Sequence, residues 1–184
     1  MATTDRNGGE RIRSFPPIES PDARILILGS MPGVASLRAR QYYAHPRNQF
    51  WRIMGALYGA TPQRPYAQRV ALLQENGVAV WDVLHSCVRR GSLDSAIENA
   101  SVAPNDLPGF LRQHRKITAV RCNGALAYAA FRRYFGAAWL QDFPWLDCRR
   151  LPSTSPAHAS WSYARKSAAW RAALMATGAS VLSR

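Results

Sequence analysis

The chain has 184 residues, 47% of them hydrophobic, and carries a formal net charge of +13 at pH 7. Its length fits one domain with a buried core. It has no apolar run of about 18 residues that would span a membrane, and residues 1–10 lack the apolar stretch that is typical of a secretory signal. Its cysteines and histidines are scattered, without the CxxC or HExxH spacings of common metal sites. We therefore expect a cytoplasmic protein, nucleoid-associated if its source is bacterial, that uses no metal and no cofactor.

Residues 1–22 are expected to form a flexible N-terminal arm. They are polar, contain glycine and proline, and show no periodicity, although order is expected to begin near Phe15. The remaining residues, 23–184, are predicted to form a single domain.

Four short segments are predicted to be strands of one sheet. Residues 24–28 form an aliphatic run that stops at Gly29, and residues 77–83 and 117–122 repeat this pattern. Continuous apolar runs of this kind are typical of parallel strands that are buried on both faces. Residues 148–151 are a weaker fourth candidate.

Segments with helical periodicity lie between and after these strands. The first starts at the His45-Pro46 pair, because proline is tolerated in a first helical turn, and ends at Gly59. Further helices are predicted at residues 65–75, 107–114, 125–134 and 161–177. This alternation predicts a three-layer α/β/α domain with a central, mainly parallel four-stranded sheet. In such sheets ligands bind at the carboxyl ends of the strands.

The positive charge is concentrated in two segments that contain no Asp or Glu. Residues 23–74 carry seven arginines, and residues 148–184 carry five arginines and one lysine. Such segments favour a polyanionic partner such as nucleic acid, because fixed cations release counterions from phosphates. Arginine also suits bidentate phosphate contacts. An arginine-rich genome is the alternative explanation.

Three motifs carry the chemical information in the sequence. The first, GSMPG at residues 29–33, follows the first strand, and its glycines allow a ligand to approach the backbone. It is neither a GxSxG nucleophile elbow nor a Walker phosphate loop. The second is QYYAHPRNQFW at residues 41–51, and the third is LPSTSPAH at residues 151–158.

Together the three motifs resemble the uracil-DNA glycosylase superfamily, and within it most closely the hypoxanthine-DNA (deoxyinosine) glycosylase branch. The resemblance runs from residue 23 to the C-terminus, and the unbroken YYAHPRNQFW segment is its most specific part. It implies a four-stranded parallel sheet with helices on both faces and a DNA groove across the carboxyl ends of the strands. A flipped base would bind between the three motifs.

The resemblance also implies roles for single residues. Many superfamily members place an Asp or Asn that positions the attacking water where this chain has Met31; in the hypoxanthine branch an asparagine that matches Asn48 takes over. His85 lies close to where relatives read the base edge, so Asn48 and His85 are the expected catalytic residues. Base binding is expected from Gly29, Ser30, Met31, Pro32, Gly33, Tyr43 and His45, with Tyr42 as the alternative stacking aromatic.

Contacts to DNA are expected mainly from the third motif. Its serines can donate to phosphate oxygens, and residues 156–161 form a candidate wedge that fills the stack vacated by the flipped base. The implied DNA-binding residues are Arg47, Ser153, Thr154, Ser155 and His158.

Several of these residues have simpler explanations. Asn48 can merely cap the helix that follows it, and His85 can be a buried histidine with a structural partner. His158 can be an ordinary surface residue of its loop. Asp82, the nearest carboxylate by motif, is either a further catalytic candidate or a residue that anchors a loop.

The sequence thus predicts a monofunctional DNA glycosylase that flips a deaminated base, preferably hypoxanthine, and hydrolyses its N-glycosidic bond. A lyase step needs an amine nucleophile, and neither of the two lysines lies in a motif. We expect a monomer that acts on DNA containing deaminated bases, with uracil and xanthine as further candidate substrates. The alternatives are a non-catalytic damaged-DNA binding module and a small-molecule hydrolase that uses Ser30 or Cys87.

Overall fold

The computed structural model describes residues 10–177. Its strands are β1 (Glu10–Arg13), β2 (Ile25–Gly29), β3 (Val78–Asp82), β4 (Leu84–Arg89), β5 (Ala103–Pro104), β6 (Ala119–Asn123) and β7 (Asp147–Leu151). Its α-helices are α1 (Val34–Ala39), α2 (Phe50–Tyr58), α3 (Tyr66–Glu75), α4 (Leu107–Gln113), α5 (Ala125–Asp142) and α6 (Tyr163–Met175). No helix within this described part is long and apolar enough to cross a membrane.

Four strands form a central parallel sheet in the order β3-β2-β6-β7. In its registers Gly29 lies opposite Asp82, and Asn123 lies opposite Leu151. The carboxyl ends of the four strands therefore meet at one edge, which we call the carboxyl edge. Each predicted strand is present within two residues of its expected bounds, and the predicted parallel sheet is confirmed.

Helices cover both faces of this sheet and give the expected three layers. On one face, Ile25 and Ile27 pack with buried side chains of α2, α3 and α6. On the other face, Leu26 and Leu28 pack with side chains of α4 and α5. Because neighbouring residues of a strand point to opposite faces, β2 needs apolar side chains throughout, which explains its continuous aliphatic run.

A second, antiparallel sheet has the order β1-β4-β5 and differs from the expectation. β1 has the sequence ERIR, in which only Ile12 is apolar, so its hydrophobic pattern is too short to reveal a strand. Pairing with β4 defines it instead. This corrects the boundary of the expected arm, since residues 10–22 belong to the fold; residues 1–9 of that arm lie outside the described residues.

The helices differ from the expectation mainly at their ends. α2 begins at Phe50 rather than at the His45-Pro46 pair, because the preceding residues form turns in which Tyr43 has the left-handed φ of 55°. α5 continues to Asp142 instead of ending at Tyr134. Its last turns are held by Trp139, whose ring lies 4.5 Å from that of Phe131. The short helix α1 is an addition to the predicted elements.

Candidate active site

Gly29 and Asp82 meet at the carboxyl edge. A side chain added at Gly29 would collide with the Asp82 carboxylate, and its first carbon would lie 3.3 Å from the Tyr43 hydroxyl. Glycine is therefore required, because two side chains close around this backbone position. Asp82 is 3% exposed, and its backbone carbonyl accepts a 2.8 Å hydrogen bond from the Asn105 side chain. A fixed, buried carboxylate thus lies among the predicted base-binding residues.

Tyr43 reaches the same position from the second motif. Its ring stacks on Phe50 with the centroids 4.0 Å apart, and its buried hydroxyl lies near the side chains of Asp82 and Asn123. Burial, and then the negative charge of Asp82, raise the pKa of Tyr43 above the usual tyrosine range. The phenol therefore keeps its proton and can donate it in a hydrogen bond.

Tyr42, the alternative stacking residue, belongs to the core. Its side chain is buried, and its hydroxyl donates to the carbonyl oxygens of Phe15 at 3.3 Å and Pro16 at 3.2 Å. Its own carbonyl accepts from the indole of Trp51 at 2.8 Å. Of the two neighbouring tyrosines, only Tyr43 lies at the candidate site.

Asn48 lies in the turn that leads into α2. Its Oδ1 accepts a 2.9 Å hydrogen bond from the backbone N–H of Phe50, the first residue of α2, so the side chain satisfies this N–H although Gln49 holds the N-cap position. Its Nδ2 has no partner among the residues that the structure describes, and it remains a donor. In the same turn, His45 Nδ1 accepts from the backbone N–H of Arg47 at 3.1 Å. Capping and a role in the reaction are therefore compatible for Asn48.

Asn123, at the end of β6, fastens the third motif to the sheet. Its Nδ2 donates to Thr154 Oγ1, and its Oδ1 accepts from the Thr154 backbone N–H, both at 2.9 Å. The Thr154 carbonyl accepts from the backbone N–H of Gln49 at 3.0 Å, which joins the second motif to the third. Because Thr154 is fully buried, its expected DNA contact is corrected: this side chain holds the loop.

Residues 152–161 form a loop at the carboxyl edge, which we call the groove loop. The Trp170 indole donates to the Pro152 carbonyl at 2.9 Å. Within the loop, Ser153 Oγ accepts from the backbone N–H of Ser155 at 3.2 Å, and both serines are half-buried. These contacts give the loop a defined shape. The expected phosphate contacts of Ser153, Ser155 and His158 stay predictions.

The GSMPG motif forms one wall of the site. Met31 is buried and packs in the core on the α4 and α5 side of the sheet, so its thioether serves packing. The Ser30 carbonyl accepts from the backbone N–H of Leu84 at 3.1 Å, and the Pro32 carbonyl accepts from the guanidinium of Arg89. Gly33 precedes the first turn of α1. Backbone atoms, rather than side chains, therefore shape this wall.

His85 does not join this group. It is exposed on β4, and its carbonyl accepts from the backbone N–H of Ser14. The residue that occupies the strand end is Asp82, three positions earlier. Cys87, the nucleophile of the hydrolase alternative, is fully buried on β4 and faces the core.

Sequence reasoning missed two residues of the site. Asn123 directly follows the predicted strand at residues 117–122. A polar residue at a strand end is the signal by which it could have been predicted. Gln49 lies inside the second motif, and its Oε1 is buried with no hydrogen-bond partner in the described part of the chain. A buried unpaired acceptor costs about 1–3 kcal/mol, so it marks a place where a ligand group can bind.

Exposed arginines lie beside the site. The guanidinium of Arg52 lies 3.7 Å from the ring centroid of Tyr163, and that of Arg165 lies 3.8 Å from the centroid of a Trp161 ring. These contacts hold two cations near the beginnings of α2 and α6. Together with exposed Arg47, they give the carboxyl edge the charge that a phosphate backbone requires.

Comparisons with known proteins agree with this geometry. A sequence profile described as the Uracil DNA glycosylase superfamily matches residues 16–177. A hypoxanthine DNA glycosylase of Methanosarcina acetivorans is 34% identical over 158 residues, which cover 84% of this chain and 93% of that protein. One of Methanosarcina barkeri is 40% identical over 91 residues, which cover 49% of this chain and 58% of that protein.

A solved structure is similar over nearly the whole fold. The solution NMR structure of a candidate uracil DNA glycosylase from Methanosarcina acetivorans has a TM-score of 0.72 and 30% sequence identity, and the match covers 91% of this chain and 99% of that one. These matches confirm the family that the three motifs indicated. The chain belongs to the uracil DNA glycosylase superfamily.

Proposed function

We propose that the protein is a monofunctional DNA glycosylase that flips hypoxanthine out of DNA and hydrolyses its N-glycosidic bond. One observation carries this proposal: the buried Asp82 carboxylate lies against Gly29, next to the Tyr43 hydroxyl, at the carboxyl edge. The relatives named hypoxanthine DNA glycosylase support the choice of base.

The carboxylate of Asp82 suits the base edge of hypoxanthine. The Watson–Crick edge of hypoxanthine carries an N1–H donor, whereas N1 of adenine is an acceptor. An ionised carboxylate only accepts hydrogen bonds, so Asp82 attracts the N1–H of hypoxanthine and repels adenine. Uracil and xanthine also present an N–H there, which makes them the further candidate substrates.

Bond cleavage would rely on stabilisation of the leaving base. The departing purine gains negative charge, and donors placed beside it lower the barrier. The protonated hydroxyl of Tyr43 is the donor that we propose for this step. Met31 packs in the core and supplies no group that positions water. We therefore propose that Asn48 orients the water that adds to C1′.

The two lysines support a monofunctional enzyme. Lys116 pairs with Asp22, and these residues precede β6 and β2, so they lie at the edge opposite the site. The buried ammonium of Lys166 donates to the His158 carbonyl at 2.6 Å. Neither amine is placed to attack C1′, which a lyase step would require.

The conditions under which the enzyme acts complete the proposal. We propose a monomer in the cytoplasm, because the net charge of +13 opposes self-association of free protein. Catalysis by side-chain donors requires no metal, so excision should persist in excess EDTA. Size-exclusion chromatography of DNA-free protein should give one monomeric peak. A dimer, or an EDTA-sensitive rate, would contradict these two statements.

The test is excision from duplex and single-stranded oligonucleotides that contain hypoxanthine, uracil, xanthine or ethenoadenine. We expect abasic sites at hypoxanthine that are cut only after alkali or heat. Strand cleavage without alkali, trapped by borohydride, would contradict the monofunctional mechanism. Tight binding to hypoxanthine DNA without any abasic product would instead identify a non-catalytic binding module.

A further inference from the structure

Four consecutive exposed residues follow β4 at the carboxyl edge. They are Arg90, Gly91, Ser92 and Leu93, and we call them the 90–93 loop. Gly91 has the left-handed φ of 69°, which allows the chain to turn sharply. None of the three motifs includes this loop.

The 90–93 loop is fastened to the GSMPG wall of the site. The guanidinium of Arg89, which is buried, donates to the Pro32 carbonyl at 2.5 Å and to the Gly91 carbonyl at 3.0 Å. Ser92 Oγ accepts from the backbone N–H of Val34 at 3.0 Å. Burying a guanidinium is costly without such bonds, so Arg89 is a strong link between loop and wall.

Leu93 carries the largest apolar side chain of this loop and is 60% exposed. A single exposed leucine is ordinary on a protein surface. Leu93 differs from an ordinary exposed leucine because the preceding residue, Ser92, is hydrogen-bonded to Val34 at the wall of the site. The Leu93 side chain is therefore presented by a loop whose conformation is fixed by hydrogen bonds.

The groove loop has few apolar side chains that could insert between the bases of DNA. Its central residues are Ala157, His158, Ala159 and Ser160. Trp161 is already covered on one side by the guanidinium of Arg165, 3.8 Å away. Flipping a base leaves a gap in the stack, which proteins commonly fill with leucine, phenylalanine or another apolar wedge.

We propose that Leu93 is a second wedge, which inserts into duplex DNA beside the GSMPG wall of the site. In the order β3-β2-β6-β7, the groove loop follows the outer strand β7, whereas the 90–93 loop is fastened to the turn after β2. The two loops therefore reach the carboxyl edge at different strands, which β6 separates. This inference rests on the proposed flipping of a base from double-stranded DNA.

The distinguishing measurement is the difference between duplex and single-stranded substrates. A wedge fills a gap in a stacked duplex and has no such gap in a single strand. We expect Leu93→Ala to lower single-turnover excision of hypoxanthine from duplex by about tenfold and to leave the single-strand rate unchanged. Leu93→Met, which keeps the apolar bulk, should retain the duplex rate.

The matched control is Met175→Ala. Met175 is similarly exposed, at 52%, and lies at the end of α6, which runs from the carboxyl edge to the opposite edge. It should change neither rate. Leu126→Ala tests the alternative that Leu126 is the wedge. Leu126 is 56% exposed near the start of α5, at the carboxyl edge.

A readout without chemistry separates this inference from the proposed function. Duplex with a tetrahydrofuran abasic analogue should bind Leu93→Ala about tenfold more weakly than wild type, whatever base the enzyme removes. Equal affinities, an equal loss on single strands, or a duplex loss confined to Leu126→Ala would each overturn the role of Leu93. Wild-type protein that binds the analogue but releases no hypoxanthine would refute the proposed substrate alone.

Discussion

Lys166 donates a 2.6 Å hydrogen bond from its ammonium group to the carbonyl oxygen of His158. The lysine lies on α6 and is 2% exposed, and burial lowers the pKa of its ammonium group. A charge is buried at such a position only when its contacts compensate the lost hydration. Lys166 therefore stabilises the groove loop through a hydrogen bond to the backbone of that loop.

Replacing Lys166 by Met should loosen the groove loop. We expect duplex DNA affinity to fall about tenfold, because a hydrogen bond from a charged donor is lost. Fluorescence anisotropy titrations at fixed salt measure this change. Lys116→Met removes the same charge at the opposite edge and is the control; equal affinities of the two variants would show that only net charge matters.

The same variant should alter the pH dependence of stability. Since the folded state lowers the pKa of Lys166, the unfolded chain binds this proton more tightly. The cost of burying the charge is fully present below the folded-state pKa and decreases as the pH rises toward the ordinary lysine value of about 10.4. Relative to Lys166→Met, wild type should gain free energy of unfolding over that alkaline range. A constant difference in urea titrations would contradict this.

Asp82→Asn tests the reading of the base. We expect single-turnover excision of hypoxanthine to slow by about 10- to 100-fold, because the charge-assisted acceptor for N1–H is lost. Discrimination against adenine should narrow, since the new amide can donate to N1. The exposed Asp142, at the end of α5, gives the control variant Asp142→Asn. If folded Asp82→Asn protein keeps the wild-type ratio of the hypoxanthine and adenine excision rates, Asp82 does not read the base edge.

Two functions of Asn48 can be tested separately: the hydrogen bond to the Phe50 N–H and the proposed orientation of water. Asn48→Ala should lose the cap, about 1 kcal/mol of stability, and about 10²-fold in excision rate. Asn48→Ser keeps a side-chain oxygen that can accept from the Phe50 N–H but lacks the amide that would orient water, so it should be stable and slow. Melting temperature and single-turnover rate are measured on the same preparations. Near-normal excision by either variant would assign Asn48 to capping alone.

Arg47 tests the electrostatic contribution to DNA binding. Its side chain is exposed beside the site, so Arg47→Ala should weaken binding to all sequences alike and reduce the salt slope by about 0.9 for one phosphate contact. Arg149→Ala is the control, because Arg149 Nε already pairs with Asp147 at 2.9 Å on the edge strand β7. Equal salt slopes for the two variants would argue against a phosphate contact at Arg47.

The inner part of the central sheet could be predicted because β2 and most of β3 are buried on both faces. That burial requires continuous apolar runs such as residues 25–28 of β2 and 78–81 of β3, and such runs are visible without tertiary information. β1 could not be predicted, because its polar sequence becomes a strand only by pairing with β4. The start of α2 was misplaced because the His45-Pro46 pair fits a helix start locally, whereas contacts between motifs impose turns there.

The candidate site differs from the sequence-based expectation at His85, and the difference has a physical cause. The end of β3 is defined by pairing with β2, in which Asp82 lies opposite Gly29. Sequence alone shows only the run of residues 77–83, and a shift of a few residues moves the side chain from the site to the surface. Asn48 and Tyr43 could be proposed from the sequence because they lie in a motif whose resemblance assigns their positions.

The reciprocal bonds between Asn123 and Thr154 have a consequence for how the protein and DNA fit together. Thr154 is also bonded to Gln49, so the groove loop is attached to the sheet and to the second motif at one point. A segment held in this way does not swing as a lid. We therefore expect the duplex, rather than the enzyme, to change shape on binding, so that DNA which bends or unpairs easily is engaged faster. Lesions in flexible or mismatched steps would then be repaired before identical lesions in stiff A-tracts.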